Sequence, residues 1–162
     1  MRYRMLSPSG SASALSSPRN DVSSAGSPRV PSAKWQAYGQ SLLERGAVSA
    51  FAVYSRRNGR VWTETPDLHV TPEEVSSIVN GFTDDLQLRV QGIHFWGQEF
   101  VLTRMSWNHV MMVGRSSASG RGCVVYLCRT CVVIATHEEG PQTSLCYSAV
   151  EKLGDFLVDK GF

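Results

Sequence analysis

"GCVVYLCRTCVVIATHE", residues 122–138, sets two apolar runs on either side of Arg129 and Thr130. Both runs are rich in β-branched residues, and only two residues separate them, so the stretch reads as two antiparallel strands folded on a tight turn. Further short strands are expected upstream in "LQLRVQ" (86–91), "IHFWG" (93–97), "EFVLTRMSW" (99–107) and "HVMMVGR" (109–115). Strands this closely spaced, with turn signals between them, imply an antiparallel sheet.

Helices flank and interrupt that sheet. Residues 35–45 suit a helix with Trp35, Tyr38 and Leu42 on one stripe. "AVSAFAVYS" (47–55) and "RVWTET" (60–65) read as a hairpin joined by "RRNGR", whose Asn-Gly is a strong turn signal. "TPEEVSSIVNGF" (71–82) opens a helix, with Thr71 as N-cap, Pro72 at the first helical position and Glu74 completing a capping box; Gly81 should end it. The last helix is expected over 143–160, with Cys146, Val150, Leu153 and Leu157 as its apolar stripe. The order helix, hairpin, helix, meander, helix is α+β. No internal repeat is visible.

Composition narrows the function classes. The 162 residues are 42% hydrophobic, enough for one ordinary domain with a real core. No apolar run approaches the ~20 residues of a membrane-spanning helix. The four cysteines all lie in the last third and no secretory segment opens the chain, which suggests free thiols in a reducing compartment. Residues 1–34 carry five basic groups (Arg2, Arg4, Arg19, Arg29, Lys34) against Asp21, a net +4; residues 35–162 carry 11 basic and 13 acidic groups, a net −2. A nucleic-acid reader would place its basic patch on the folded part, so nucleic acid is not an expected partner. Residues 1–33, dominated by Ser, Pro, Ala and Gly, are expected to be a disordered leader ahead of a domain at 34–162. "SPR" at Ser17 and Ser27 would suit proline-directed phosphorylation, and the Arg/Ser-rich composition is also that of a transit peptide; a plain tail or a misassigned start fits equally.

Aromatics recur at the two ends of the domain: Trp35 and Tyr38 on the first helix, Phe156 and Phe162 on or after the last, and Trp62 on the hairpin. Side by side on one face of the sheet, these would form an aromatic groove able to dock a polyproline II helix. The spacing alone cannot separate that platform from ordinary core.

From Lys34 to Phe162 the chain resembles the profilin family. The carriers are the opening "WQAY", "NGRVWTET", "TPEEVSSIVNGF", "QGIHFWGQEFVLT" and above all "VEKLGDFLVDKGF", which matches the family's closing helix through its last residue. The resemblance implies the profilin fold, an antiparallel sheet with the terminal helices on one face and a further helix on the other. It implies a non-enzymatic, monomeric protein of the cytoplasm and cytoskeleton that needs no cofactor and regulates actin polymerisation. Trp35, Tyr38, Trp62, Phe156 and Phe162 then correspond to the poly-proline-binding places, exposed for partners such as formin-type assembly factors. Monomeric actin would meet the later strands and the front of the last helix, roughly 104–121 and 141–152, through Arg104, Arg115, Arg121, Ser144, Tyr147, Ser148 and Lys152. Ser144 and Tyr147 replace a usual Gly and Asn, and "GRSS" (114–117) stands where many profilins carry Gly-Lys-Lys. The basic charge is thus thinner for phosphoinositide lipids, a further partner class of the family. An adaptor that kept proline binding and lost actin is the alternative.

The enzyme reading rests on "CRTC" (128–131), half of a zinc site or a redox pair. Cys123, Cys146 or His137 would have to complete a metal site. The blander reading is two small hydrophobes flanking a turn. His69, His94, His109 and His137 are scattered, and the Gly/Ser-rich "GRSSASGRG" (114–122) lies between strands rather than before a helix, so no phosphate-binding loop or catalytic trio is identified.

Overall fold

A computed structural model describes residues 32–140 and 143–162. The leader, with its two SPR sites, lies outside the described residues, as does Pro141; only Ser32 and Ala33 of residues 1–33 are inside, at the start of the first helix. The elements are α1 (Ser32–Glu44), β1 (Ala50–Ser55), β2 (Val61–Glu64), α2 (Pro72–Asn80), α3 (Leu86–Gln91), β3 (Ile93–Phe95), β4 (Gln98–Met105), β5 (Met111–Arg115), β6 (Gly122–Leu127), β7 (Cys131–His137) and α4 (Thr143–Asp159).

Seven strands form one antiparallel sheet in the order β2-β1-β7-β6-β5-β4-β3. At its centre the β6–β7 hairpin pairs Cys123 with Thr136, Tyr126 with Val133 and Leu127 with Val132 around Arg129-Thr130. Because side chains alternate across a strand, the hairpin serves two layers. Cys123, Val125, Val132 and Ile134 join a core with Val75 and Ile78 of α2, Phe82 of the turn after it and Leu88 of α3. The alternate residues face α1 and α4. There Gly39 of α1 lies so close to Phe51 of β1 that an added Cβ would sit 1.8 Å from the ring, and Gly154 of α4 meets the Tyr126 ring at 2.3 Å by the same measure. Both glycines let a helix backbone rest on an aromatic face. Helices α1 and α4 therefore share one face, and α2 and α3 the other.

The α2 capping box is present as read: Thr71 Oγ1 accepts from the Glu74 N–H, and Glu74 returns a carboxylate to the Thr71 N–H. Gly81 follows the helix, but in a right-handed conformation (φ −64°). Its role is space, since a Cβ there would come 2.0 Å from Leu88 of α3.

Two strand assignments are corrected. "LQLRVQ" is the helix α3 rather than a strand. Its apolar residues alternate, which is the strand signal, yet only Leu88 is buried while Leu86 and Val90 are exposed. The Arg89–Asp85 pair at 2.7 Å supports the helical spacing, and the Asp84 carboxylate accepts the Leu86 N–H at its start. "EFVLTRMSW" ends as a strand at Met105, leaving Trp107 in the turn before β5.

Candidate functional site

Trp35 and Tyr38 lie one turn apart on α1 and so share a face. Trp62 reaches that face from β2. Phe156 comes from the last turns of α4, and Phe162 from just beyond it. The Phe162 N–H donates to the Leu157 carbonyl at 2.9 Å, while its own carbonyl oxygen accepts from the Thr130 N–H at 2.5 Å and the Thr130 hydroxyl at 2.6 Å. The turn of the central hairpin thus fixes the last residue of α4's extension.

All five rings meet. Trp35 contacts Tyr38 and Trp62 at 5.4 Å between centroids, and Phe162 at 5.5 Å; Tyr38 meets Phe156 at 5.4 Å and Trp62 meets Phe162 at 5.9 Å. Four of the five contacts are edge-to-face, the arrangement the ring quadrupoles favour.

The expectation that Trp35 is exposed is corrected. It is 1% exposed and forms the floor of the cluster, because three rings enclose it. Tyr38, Trp62 and Phe162 are half-buried walls, and Phe156, 39% exposed, is the rim. The indole N–H groups of Trp35 and Trp62 are both buried without an acceptor among the described residues. Buried donors are normally paired, so this pair is an unusual feature of an otherwise apolar cluster.

The second set of sequence-derived residues lies on β4 (Arg104), at the end of β5 (Arg115), just before β6 (Arg121) and along α4 (Ser144, Tyr147, Ser148 and Lys152). The Arg104 guanidinium sits 4.6 Å over the Tyr147 ring. Arg104, Ser144 and Tyr147 line a shallow groove of about 420 Å³ with Thr103, Val113 and Thr143. Arg115 donates to the Thr143 hydroxyl at 2.8 Å and to the Gly120 carbonyl at 3.3 Å. Ser148 and Lys152 are exposed on α4. Arg121 pairs with Glu138 at 3.3 Å rather than joining Arg104 and Tyr147 in that groove.

The cysteines do not form a metal centre. All four are free and buried, and among the described residues no group of three or more His, Cys, Asp or Glu is placed to hold a metal ion. A hydrogen bond donated to Cys128, together with burial, pushes the Cys131 thiol far up; burial pushes Cys146 up to about 12 and Cys123 up as well. These groups stay protonated at neutral pH, the opposite of an activated thiolate. His137, considered as a fourth ligand, is fully buried with both ring nitrogens engaged, Nδ1 with the Glu138 carbonyl at 2.9 Å and Nε2 with the Thr143 hydroxyl at 3.2 Å.

Sequence reasoning missed the Arg115–Thr143–His137 chain, which ties β5 and β7 to the start of α4 and depends on residues 28 apart. It also missed Trp107, 92% exposed in the β4–β5 turn. The Ser106-x-Asn108 turn chemistry beside it was the available signal.

The profilin family model matches residues 33–162. The profilin of Saccharomyces cerevisiae is 34% identical over 124 residues, 76% of this chain and 95% of that protein. Among solved structures, Acanthamoeba castellanii profilin II superposes with a TM-score of 0.71 at 26% identity, covering 79% of this chain and 99% of that one. Mouse profilin IIa, solved in complex with a double repeat from the FH1 domain of mDia1, superposes with a TM-score of 0.70 at 21% identity, covering 79% of this chain and 99% of that one.

Proposed function

The chain belongs to the profilin family, and from that premise we propose that it binds monomeric actin and proline-rich ligands and regulates actin polymerisation, as a non-enzymatic adaptor of the cytoplasm and cytoskeleton. Actin-monomer and poly-proline binding are typical of the family. The observation that carries the reading is the convergence of Trp35, Tyr38, Trp62, Phe156 and Phe162 into one cluster between α1, β2 and α4.

The chemistry suits a proline-rich segment. A polyproline II helix makes no internal hydrogen bonds, so its carbonyls are open to outside donors. Its pyrrolidine rings are flat and apolar, and match the edge-and-face relief of Tyr38, Trp62, Phe156 and Phe162. The indole N–H groups of Trp35 and Trp62 are themselves buried, and would reach such carbonyls only after the rings shift on binding. Trp35 serves in this reading as the support that sets the other rings. Actin would meet the α4 front and β4–β6 through Arg104, Arg115, Arg121, Ser144, Tyr147, Ser148 and Lys152. Formin-type assembly factors are the proline-rich partner class, and phosphoinositide lipids would draw on the same arginines.

The test is paired. A labelled oligoproline peptide is titrated by fluorescence anisotropy, and actin is sedimented with and without the protein. Phe156→Ala, at the exposed rim, should weaken the peptide about tenfold, the equivalent of roughly 1.4 kcal/mol of lost contact. It should leave the melting temperature and the actin result unchanged. Unaltered peptide affinity in that variant would reject the groove, and polymerisation unaffected by excess protein would reject actin binding.

A further inference from the structure

On the other side of α4 from Tyr38 and Phe156, between that helix and the β4–β5 turn, lies a groove of about 430 Å³. Its lining includes Trp107, Arg104, Tyr126, Tyr147, Glu151 and Asp155. Trp107 is the most exposed large apolar side chain among the described residues, and it is held there by a bonded turn. The Ser106 hydroxyl accepts the N–H groups of Val110 (3.2 Å) and Met111 (3.0 Å) and donates to Asn108 Oδ1 at 2.7 Å. The His109 N–H donates to the Ser106 carbonyl at 2.9 Å, with His109 in the left-handed region at φ 55°. A Trp displayed to solvent on an ordered turn beside a groove is a feature of contact surfaces.

The charge of the groove says what fits it. Its one cation, Arg104, already lies over the Tyr147 ring. Glu151 and Asp155 are exposed carboxylates one helical turn apart on α4. Asp155 accepts the Tyr126 hydroxyl at 2.6 Å. Burial first, then that bond, with smaller contributions from the neighbouring negative charges, push the Tyr126 phenol well above its ordinary range. An aromatic face beside two carboxylates is the environment that holds an arginine or lysine, by cation–π contact on one side and charge pairing on the other.

We propose that this groove is an accessory subsite for a basic residue flanking the proline-rich ligand. The inference rests on the proline-binding reading above. Asp155 and Phe156 are neighbours in sequence, one facing this groove and the other the aromatic cluster. A ligand crossing α4 spans about one helix diameter, ~10 Å, which three to four polyproline II residues cover. The subsite would give the protein a preference among proline-rich segments that the aromatic cluster alone does not provide.

The experiment compares three labelled peptides on the full chain by anisotropy: decaproline, and decaproline with two arginines or two glutamates beyond either end. The arginine peptide should bind about three- to tenfold tighter than plain decaproline at low salt, and the glutamate peptide no tighter. Trp107→Ala and Glu151→Gln should each shrink the arginine gain while leaving plain decaproline affinity and the melting temperature unchanged. Equal affinity for all three peptides overturns the subsite and leaves proline binding intact. Failure of every peptide to bind folded protein overturns both readings. Should Trp107→Ala weaken actin binding and leave the arginine gain unaltered, the groove belongs to the actin surface and the proposal is wrong.

Discussion

The two candidate surfaces share α4 but are built differently. The aromatic cluster is a packed object in which each ring is positioned by at least one other at 5.4–5.9 Å. The α4 front is assembled from long polar side chains, each satisfied by a nearby group: Arg104 by Tyr147, Arg115 by Thr143 and Gly120, Arg121 by Glu138. Apolar packing couples its members, so removing the buried ring, Trp35, disturbs both the fold and the site, whereas the exposed rim at Phe156 can be trimmed with the fold intact. Exposed polar contacts are worth little individually, so changes at the α4 front should register in binding with almost no effect on stability.

Trp35 is where this difference is largest. Trp35→Ala removes the floor of the cluster and should cost about 3–5 kcal/mol of stability. At roughly 2–4 °C per kcal/mol for a domain of this size, the melting temperature should fall by about 10 °C. Peptide binding should go with it, while Trp35→Phe, which keeps a ring in place, should retain most of both. A Trp35→Ala protein that melts within about 2 °C of the parent would place Trp35 outside the packed cluster and would remove the distinction between the two regions.

Alkali should break both regions together, because buried thiols lie in the sheet, at Cys123 and Cys131, and on the inward side of α4, at Cys146. Cys123, Cys131 and Cys146 hold their protons in the folded state far above the ordinary thiol value. The unfolded chain binds those protons only up to about pH 8.5. Stability is therefore present in full below that pH and is lost as pH rises above it, by at most about 1.4 kcal/mol per pH unit for each thiol. Between pH 7.5 and 9.5 the urea midpoint should drop by the equivalent of about 2–4 kcal/mol. A flat profile over that range would mean that the thiols ionise in the native protein and are not sealed in its core.

The same contrast explains what could be read in the sequence. The α2 capping box, the β6–β7 turn and the α4 stripe are local patterns, and each is found where it was read. The five aromatics were legible as a set because resemblance supplied their partnership; spacing alone left core and platform undecided. The depth of Trp35 was not legible, since it depends on rings 27 or more residues away, at Trp62 and Phe162. "LQLRVQ" misled because alternation in six residues is a weak signal, and tertiary packing seats Leu88 alone. At the α4 front the residue types were readable, but not that Arg121 would turn to Glu138 while Arg104 covered Tyr147.

The smallest effect sharpens the comparison most directly. Arg104 packs on Tyr147 at an exposed position, a contact worth roughly 0.5–1 kcal/mol. If that pair forms part of the actin surface, Arg104→Ala should weaken actin binding two- to fivefold and leave plain oligoproline affinity unchanged. The melting temperature should stay within about 2 °C, because the side chain leaves no buried cavity behind. Arg104→Lys separates charge from shape: a lysine keeps the cation but lacks the planar guanidinium that stacks on a ring. Full recovery by lysine would assign the effect to electrostatic steering, and it would then fade with added salt. Partial recovery would assign it to the stacked geometry over Tyr147. An Arg104→Ala protein that lost peptide binding as well would show that the α4 front and the aromatic cluster are one coupled surface, and the division between them would not hold.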